Sequence, residues 1–394
     1  MRAKIADYIQ RIWYEMVWMG ITTTFRFYFR RWQRANYPKL KRNTPTIYVA
    51  NHQNAFLDAL ALIMSQDRHP MFLVRANIFK SSLAAFWLRS LNMMPIYRIR
   101  DGIRSVARND EVIEKCVKIL KKGRKPLAVF PEGNHNLHRY LRPLQKGLSR
   151  IAFTAMKESD FQLDLKIVPV GISYSRHTKA RSDLLVNFGE PINVKDYVTL
   201  YKENANKAYS ALTSEIENRI KPLIIDIHDH AHYEEVERMW LSQKTCKPDM
   251  LKELHSDQRL VNKIIEDATY LDTLPEVPSR KKNKLIQLFG FPVYLYGIIN
   301  GFLMYFFTDR LIKKVVTDIH FYGSVKLAAA LGLGTITFLI QTSVVYGLTG
   351  NLFYAFLYLF SLPFSIVFAT DYRDQFLRSG VLVEPTSDYL KTTD

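Results

Sequence analysis

The chain has 394 residues, a formal net charge of +18 and 48% hydrophobic residues, which is long enough for two or three domains with a sizeable core. A chain this basic needs an anionic partner, such as a nucleic acid, a membrane surface or a phosphorylated substrate. The 24 Phe and 22 Tyr favour the membrane, and the sequence contains no zinc-finger, RRM or basic-zipper pattern that would indicate nucleic acid.

The N-terminal segment, residues 1–42, interleaves aromatic and basic side chains. Its uncharged part, residues 16–25, is too short to cross a bilayer, which takes about 20 apolar residues. We therefore predict an amphipathic helix at a membrane interface; a helix packed on the following domain is the alternative. Charges at Arg2, Lys4 and Asp7 interrupt the apolar core that a signal peptide needs, so the catalytic part is expected to stay in the cytoplasm.

Residues 43–196 alternate β-rich apolar runs with amphipathic segments. This alternation predicts an α/β domain with a mostly parallel sheet and crossover helices. Residues 110–122 have helical periodicity that ends at Gly123, and residues 148–157 repeat it. The predicted strands are residues 46–50, 71–75, 94–97, 127–130, 166–172 and 184–188.

The first predicted strand ends in a polar turn that contains His52, and Asp58 follows in a segment of helical character. Ligands of open α/β sheets bind beyond the carboxyl ends of strands. A neutral imidazole can accept a proton there, and a carboxylate bonded to its other nitrogen would fix the tautomer. The pair is interpreted as a general base with an orienting carboxylate; a surface turn followed by a helix cap is the alternative.

Four short stretches of the α/β region form an ordered set of motif blocks. They are Asn51-His52…Asp58, Pro95-Ile96-Tyr97-Arg98, Phe130-Pro131-Glu132-Gly133 and Val168-Pro169-Val170. In their order and approximate spacing, over roughly 150 residues, the chain resembles the glycerolipid acyltransferases, typified by bacterial lysophosphatidic acid acyltransferases. Two further stretches, 145–147 and 188–192, are also similar to that family.

The resemblance implies transfer of a fatty acyl group from acyl-CoA or acyl-carrier protein to a hydroxyl of a glycerophosphate lipid, without a cofactor or a metal. It implies His52 as the base that deprotonates the acceptor hydroxyl and Asp58 as its orienting partner. Arg98 and Arg100 would bind the acceptor phosphate through their planar guanidinium groups, unless they are only exposed cations at a strand end. The other implied substrate-binding residues are Asn51, Glu132, Gly133 and Lys146.

The chain departs from the family pattern in three places. Five residues separate His52 from Asp58 where four are usual, so the turn before the helix must absorb about 100° of rotation; certain glycerol-3-phosphate acyltransferases share the longer spacing. Asn92 replaces a usual glycine, and Asn134-His135-Asn136 replaces Thr-Arg-Ser. The acceptor therefore stays open between glycerol 3-phosphate, 1-acyl-glycerol 3-phosphate, another lysolipid and an N-acyl amino acid lipid. A lipid-binding membrane module without catalysis is the alternative from another class.

Residues 197–272 are predicted to form a helical extension of the domain. Three histidines in this region, His228, His230 and His232, alternate with other residues and invite a metal interpretation. Alternate spacing suits a strand or loop better than a helical ligand pair, so we expect a solvated cluster. The two cysteines, Cys116 and Cys246, form no CxxC pattern, which argues against a disulfide scaffold and fits a reducing compartment.

The C-terminal part is predicted to be a membrane region. Residues 273–284 form a basic linker, and residues 285–376 contain uncharged runs long enough for two to three spanning helices, with a turn at 349–351. Residues 377–394 form a polar tail. Buried soluble helices are the alternative, and basic residues on both sides of the first run leave the topology open. The expected location is the cytoplasmic face of a membrane, the inner membrane if the source is bacterial, with membrane lipids as partners.

Overall fold

A computed structural model describes residues 2–79, 82–97, 108–267, 283–378 and 385–386. Among these residues, eight strands form one sheet in the order β1-β7-β6-β2-β5-β3-β4, and β8 also pairs with β6. All neighbours run parallel except β6 with β7 and β6 with β8. The predicted, mostly parallel α/β architecture is therefore confirmed. The strands are β1 (Arg31–Ala35), β2 (Thr46–Ala50), β3 (Met71–Arg75), β4 (Met93–Ile96), β5 (Leu127–Val129), β6 (Lys166–Tyr174), β7 (Asp183–Phe188) and β8 (Ile192–Asn193).

The helices of the described residues fall into three groups: an N-terminal helix, the helices of the α/β domain with its extension, and the C-terminal apolar helices. The first group is α1 (Arg2–Tyr28). The second is α2 (Ala55–Met64), α3 (Ser82–Ser90), α4 (Arg108–Lys122), α5 (Gly147–Lys157), α6 (Val198–Glu203), α7 (Ala205–Ile220), α8 (Tyr233–Gln243) and α9 (Met250–Glu266). The third is α10 (Lys284–Val315), α11 (Tyr322–Thr349) and α12 (Leu352–Tyr372).

The sheet is buried on both faces, as parallel sheets require. Strand β2 shows this most clearly, because all five of its residues are buried. Ile47 and Val49 point into a cluster with α4, α5 and α7, whereas Tyr48 and Ala50 point into a cluster with α2 and the end of α1. Because both of its faces are covered and β6 and β5 lie on either side of it, β2 is in the interior of the domain.

The N-terminal segment differs from the single interfacial unit expected for residues 1–42. Residues 31–35 form an edge strand that pairs in parallel with β7, so the α/β domain starts before the predicted boundary at residue 43. Two arginines hold this edge, because the guanidinium groups of Arg30 and Arg31 both bind the buried carboxylate of Asp183. The end of α1 packs on the domain through Phe25, while Met16 on the same helix is 59% exposed.

Among the described residues, three helices are long and apolar enough to cross a membrane, which agrees with the upper end of the predicted number. Their candidate spans are Lys284–Lys314, Ile319–Thr349 and Leu352–Leu377. The predicted turn is present, since α11 ends at Gly350 in a left-handed conformation and Asn351 caps α12. The linker residues 273–282 and the tail residues 379–384 and 387–394 lie outside the described residues.

Replacing Gly171 by alanine is expected to destabilise the domain by about 1–3 kcal/mol through overpacking. A Cβ on Gly171 in β6 would lie 2.4 Å from the carbonyl oxygen of Leu223, which is backbone and cannot move away cheaply. Gly147 is the matched control, because a Cβ there meets no atom within 4 Å. Thermal unfolding of both variants in detergent measures the difference; equal melting temperatures would contradict the packing.

Candidate active site at the carboxyl edge of the sheet

The candidate site lies where three adjacent strands end. His52 follows β2, Glu132 follows β5, and the end of β6 lies on the other side of β2. Because these strands are parallel, their carboxyl ends meet at one edge of the sheet. This arrangement brings His52 and Glu132, which are 80 positions apart in the sequence, into contact. The backbone N–H of His52 donates a hydrogen bond to Oε1 of Glu132 at 2.7 Å.

The structure brings His52 and Asp58 together. Nδ1 of His52 lies 2.8 Å from Oδ2 of Asp58. The Asp58 side chain is 0% exposed and that of His52 is 17% exposed. A carboxylate oxygen accepts a hydrogen bond from an N–H group. In the neutral imidazole this contact therefore places the hydrogen on Nδ1 and leaves Nε2 as an acceptor.

The additional residue between His52 and Asp58 is absorbed in the turn before α2. Oδ2 of Asp58 also accepts hydrogen bonds from the backbone N–H groups of Gln53 and Asn54, at 2.8 and 2.7 Å. Ala55 has a positive φ of 41°, which is uncommon for a residue with a side chain. The carboxylate therefore shapes the turn and orients the imidazole at once, which is how the longer spacing keeps the contact.

Two aromatic residues, Phe130 directly after β5 and Tyr174 at the end of β6, pack around the pair. The ring of Phe130 stacks on the imidazole of His52 with centroids 4.4 Å apart and an interplanar angle of 18°. The hydroxyl of Tyr174 is buried near Asp58; burial raises the pKa of Tyr174 well above its usual value, and the Asp58 charge adds to this. The imidazole thus has one restricted orientation, which is a requirement for efficient proton transfer.

Glu132 links the His52 turn to a residue that the sequence analysis missed. Its Oε2 accepts a hydrogen bond from Nε of Arg142 at 2.8 Å, and the Glu132 side chain is only 3% exposed. Burial raises the pKa of Glu132, while the charge of Arg142 and the hydrogen bond from His52 oppose that shift. Arg142 also donates to the carbonyl of Asn134. It stands ten positions after Glu132, outside every motif block, so no local pattern singled it out.

Asn51, expected among the substrate-binding residues, has a different use in the structure. It is 1% exposed, its amide nitrogen donates to the carbonyl of Ile172, and its amide oxygen accepts from the Ile172 N–H. A buried amide has to satisfy both groups, and the end of β6 does so completely. Gly133, also named among the implied substrate-binding residues, has a positive φ of 74° in the turn after β5, a conformation that glycine adopts without strain.

Of the remaining predicted cations, Lys146 is among the described residues, and the structure does not bring it to the pair. The ammonium of Lys146 donates to Ser210 on α7 at 2.8 Å, and it has no contact with His52 or Asp58 in the part of the chain described. Arg98 and Arg100 lie outside the described residues.

Histidines occur at the site and also far from it. His228, His230 and His232 are exposed, as expected for a solvated cluster, and His232 pairs with Asp229 at 3.0 Å.

A second group of histidines was not predicted. His135, in the loop after Glu132, contacts Asp318, which also contacts His320; both lie in the connector between α10 and α11. These three side chains are of the types that hold metal ions. His135 is 183 residues from Asp318 along the chain, which explains why sequence spacing did not predict this group.

Comparisons with known proteins find acyltransferases similar to this chain. Residues 32–173 match a family model described as Acyltransferase. The chain is 26% identical over 141 residues to glycerol-3-phosphate O-acyltransferase 1 of Saccharomyces cerevisiae and 30% identical over 95 residues to glycerol-3-phosphate O-acyltransferase 2 of the same yeast. These matches cover 34% and 24% of this chain but only 18% and 13% of the yeast proteins. The chain therefore spans less than a fifth of the curated relatives that it matches.

A solved structure is also similar: the 1-acyl-sn-glycerophosphate acyltransferase PlsC from Thermotoga maritima. The likeness has a TM-score of 0.38 and 18% identity, and it covers 55% of this chain and 82% of that chain. The matched family model covers most of the α/β unit, including His52, Asp58 and Glu132, so this unit is similar to an acyltransferase domain. Both yeast relatives are named as glycerol-3-phosphate O-acyltransferases.

Proposed function

We propose that the protein transfers a fatty acyl group from an acyl thioester to a hydroxyl of glycerol 3-phosphate or 1-acyl-glycerol 3-phosphate. The observation that carries this proposal is the contact of the buried Asp58 carboxylate with Nδ1 of His52, which leaves Nε2 as the nitrogen that accepts a proton. An alcohol is a weak nucleophile until a base removes its proton in the transition state. The names of the two yeast relatives support glycerol 3-phosphate as the acceptor to test first.

In the proposed reaction, Nε2 of His52 takes the acceptor's hydroxyl proton as the oxygen attacks the thioester carbonyl. The Asp58 carboxylate stabilises the imidazolium that forms. The tetrahedral intermediate then collapses, the C–S bond breaks, and the imidazolium returns the proton to the thiolate. The products are an ester and a free thiol, so the reaction needs no cofactor beyond the thioester itself, which can be acyl-CoA or acyl-carrier protein.

Arg142 is the described cation best placed for the acceptor's phosphate. Its side chain is 21% exposed, so the guanidinium reaches both buried Glu132 and solvent. A guanidinium can bind phosphate oxygens through two parallel hydrogen bonds. Glu132 would then act mainly by fixing Arg142 and the His52 backbone, while its implied role in binding the substrate stays a prediction. Arg98 and Arg100 stay predicted phosphate ligands as well.

A shallow apolar cleft beside α2 offers a surface on which an acyl chain can pack. Its cavity volume is about 20 Å³, so it is a surface depression rather than a tunnel. Phe56 and Leu60, which flank Asp58 on α2, line it together with Trp18 and Ile21 of α1. A methylene chain gains about 0.8 kcal/mol for each CH₂ buried in such a place. The cleft meets the helix predicted to lie at a membrane interface, so we place the reaction at the cytoplasmic face of a membrane, where acyl thioesters are supplied.

The proposal is tested with the purified full chain in lipid nanodiscs, given radiolabelled acyl-CoA or acyl-carrier protein. The acceptors are glycerol 3-phosphate, 1-acyl-glycerol 3-phosphate, a lysophospholipid with a larger headgroup, and an N-acyl amino acid lipid. We expect ester formation with one of the first two. Turnover of only the third or fourth acceptor would change the acceptor assigned here. Lipid binding with no turnover of any acceptor would indicate a module without catalysis.

Replacing Arg142 by alanine is expected to move the acid limb of the pH–activity profile toward neutral pH. The Arg142 charge lowers the pKa of Glu132 against burial, so its loss raises that pKa and the carboxylate becomes protonated at a higher pH. Activity that needs the Glu132 anion then falls earlier as the pH drops. Arg142→Lys keeps the charge and should restore most of the profile.

The matched control for this variant is Arg219→Ala, which removes an arginine from an exposed pair with Glu215 on α7. It should leave the profile unchanged. An unchanged acid limb in Arg142→Ala would show that Glu132 does not depend on this guanidinium.

A further inference from the structure

Three side chains of metal-binding type meet at the mouth of the candidate site and take no part in the proposed reaction. His135 belongs to the loop after Glu132; Asp318 and His320 belong to the connector, residues 316–321, between α10 and α11. Oδ2 of Asp318 lies 3.1 Å from Nε2 of His135, and Oδ1 of Asp318 lies 2.5 Å from Nδ1 of His320. One ligand atom from each side chain lies within 4.8 Å of the other two.

We propose that His135, Asp318 and His320 bind one divalent transition-metal ion, with zinc as the ion whose preferred ligands they match. Two imidazole nitrogens and one carboxylate oxygen form a common zinc donor set. Ligand atoms at about 2.0–2.1 Å from a tetrahedral ion are about 3.3 Å from one another, so the observed separations need only small movements. Without an ion, the imidazole and carboxylate groups hydrogen-bond to one another. A binding ion takes the place of the protons in these hydrogen bonds, so the contacts are compatible with a metal site.

The surroundings allow an ion to enter and to complete its coordination. The side chains of His135 and His320 are 14% and 18% exposed, and that of Asp318 is 45% exposed, so one side of the cluster faces solvent. Water can supply the remaining ligand from that side. Oδ1 of Asp318 also accepts the backbone N–H of His320, which caps the short helical turn there, so Oδ2 is the oxygen assigned to the ion.

An ion in this position would join the membrane helices to the active-site loop. The ring of His135 lies edge-on to that of His52, with centroids 5.6 Å apart. Next to the cluster, Ile319 of the connector packs on buried Leu137. A bound ion would therefore hold the connector across the approach to His52. It has no step in acyl transfer, so this proposal stands apart from the proposed function.

The test is a cobalt titration of the full chain in detergent, prepared without a polyhistidine tag. Co²⁺ replaces zinc as a probe because tetrahedral Co²⁺ has visible absorption bands. We expect one Co²⁺ per chain, displaced by Zn²⁺. Asp318→Asn keeps the cap on His320 but weakens the ligand, and His135→Ala removes a ligand without altering the connector. Each variant should lower affinity by more than about 100-fold, since even outer-shell partners are worth 10–100-fold.

The control is the double variant His230→Ala and His232→Ala, which alters the exposed histidine run and leaves the three proposed ligands intact. It should bind Co²⁺ as the wild type does. Zinc should raise the melting temperature of the wild type and of this control but not of Asp318→Asn or His135→Ala. Absence of a saturable cobalt spectrum in the wild type, or its loss only in the control variant, would overturn the assignment. None of these measurements depends on acyl transfer.

Discussion

Replacing His52 by alanine is expected to lower kcat for acyl transfer by about 10²–10⁴-fold, the usual contribution of a positioned general base. That loss corresponds to about 3–5 kcal/mol of transition-state stabilisation. The fold should persist, because Asp58 keeps its hydrogen bonds from the backbone of Gln53 and Asn54 when the imidazole is removed. The KM for the acceptor should change much less than kcat, since the imidazole acts on the proton that moves during reaction.

The measurement is steady-state transfer from acyl-CoA, together with the melting temperature of each variant. His255→Ala is the matched control, because His255 is exposed on α9 and its removal should leave kcat unchanged. A wild-type rate in His52→Ala would remove the proposed mechanism. A second variant, Asp58→Asn, should also lose activity but lose stability with it, because the carboxylate shapes the turn.

The second large effect concerns stability: Arg139→Met is expected to destabilise the domain by about 3–5 kcal/mol. The guanidinium of Arg139 binds Oε1 of Glu237 at 3.0 Å, and the two side chains are 5% and 0% exposed. It also donates to the carbonyl of Tyr174 at 2.7 Å. Removal of one partner of a buried pair leaves the other charge unpaired, and burial already raises the pKa of Glu237 against the Arg139 charge.

Adding Glu237→Gln to Arg139→Met should restore part of the lost stability, because the amide removes the unpaired charge and keeps an acceptor for the Thr386 N–H. Arg219→Ala is the exposed control, and it should cost less than about 1 kcal/mol. Denaturant unfolding of the single and double variants measures the coupling. If Arg139→Met is no more destabilising than Arg219→Ala, the pair does not hold the loop that carries His135 and Arg142.

The strands that the sequence predicted correctly are those whose burial follows from their own residues. Thr46–Ala50 is apolar throughout and lies at the centre of the sheet. Strand β1 was missed because Arg31–Ala35 contains two arginines and a glutamine, a pattern typical of an exposed segment. It is a strand because β7 offers a free edge and Asp183 offers a partner for its arginine, and neither property is visible in residues 31–35.

The candidate site divides in the same way. His52 and Asp58 are six positions apart, so a motif and one local turn were enough to predict that they meet. Asn51 belongs to the same motif, yet its side chain is used to close the end of β6, 121 residues away. The position of Arg142 at the site could not be predicted from the sequence, because it depends on the loop after β5 folding back on Glu132.

By itself the sequence determined the α/β class, the position of the His52–Asp58 pair and the three long apolar helices, because periodicity, local spacing and run length each act within a short stretch of chain. Only the tertiary structure decided that Asp318 and His320 reach the site. The sequence of a connector between two apolar helices does not indicate which part of the folded domain it will contact. That contact depends on the packing of α11 against α2, where Gly323 lies close to Leu57. Such contacts are set by the shape of the folded domain rather than by any pattern along the chain.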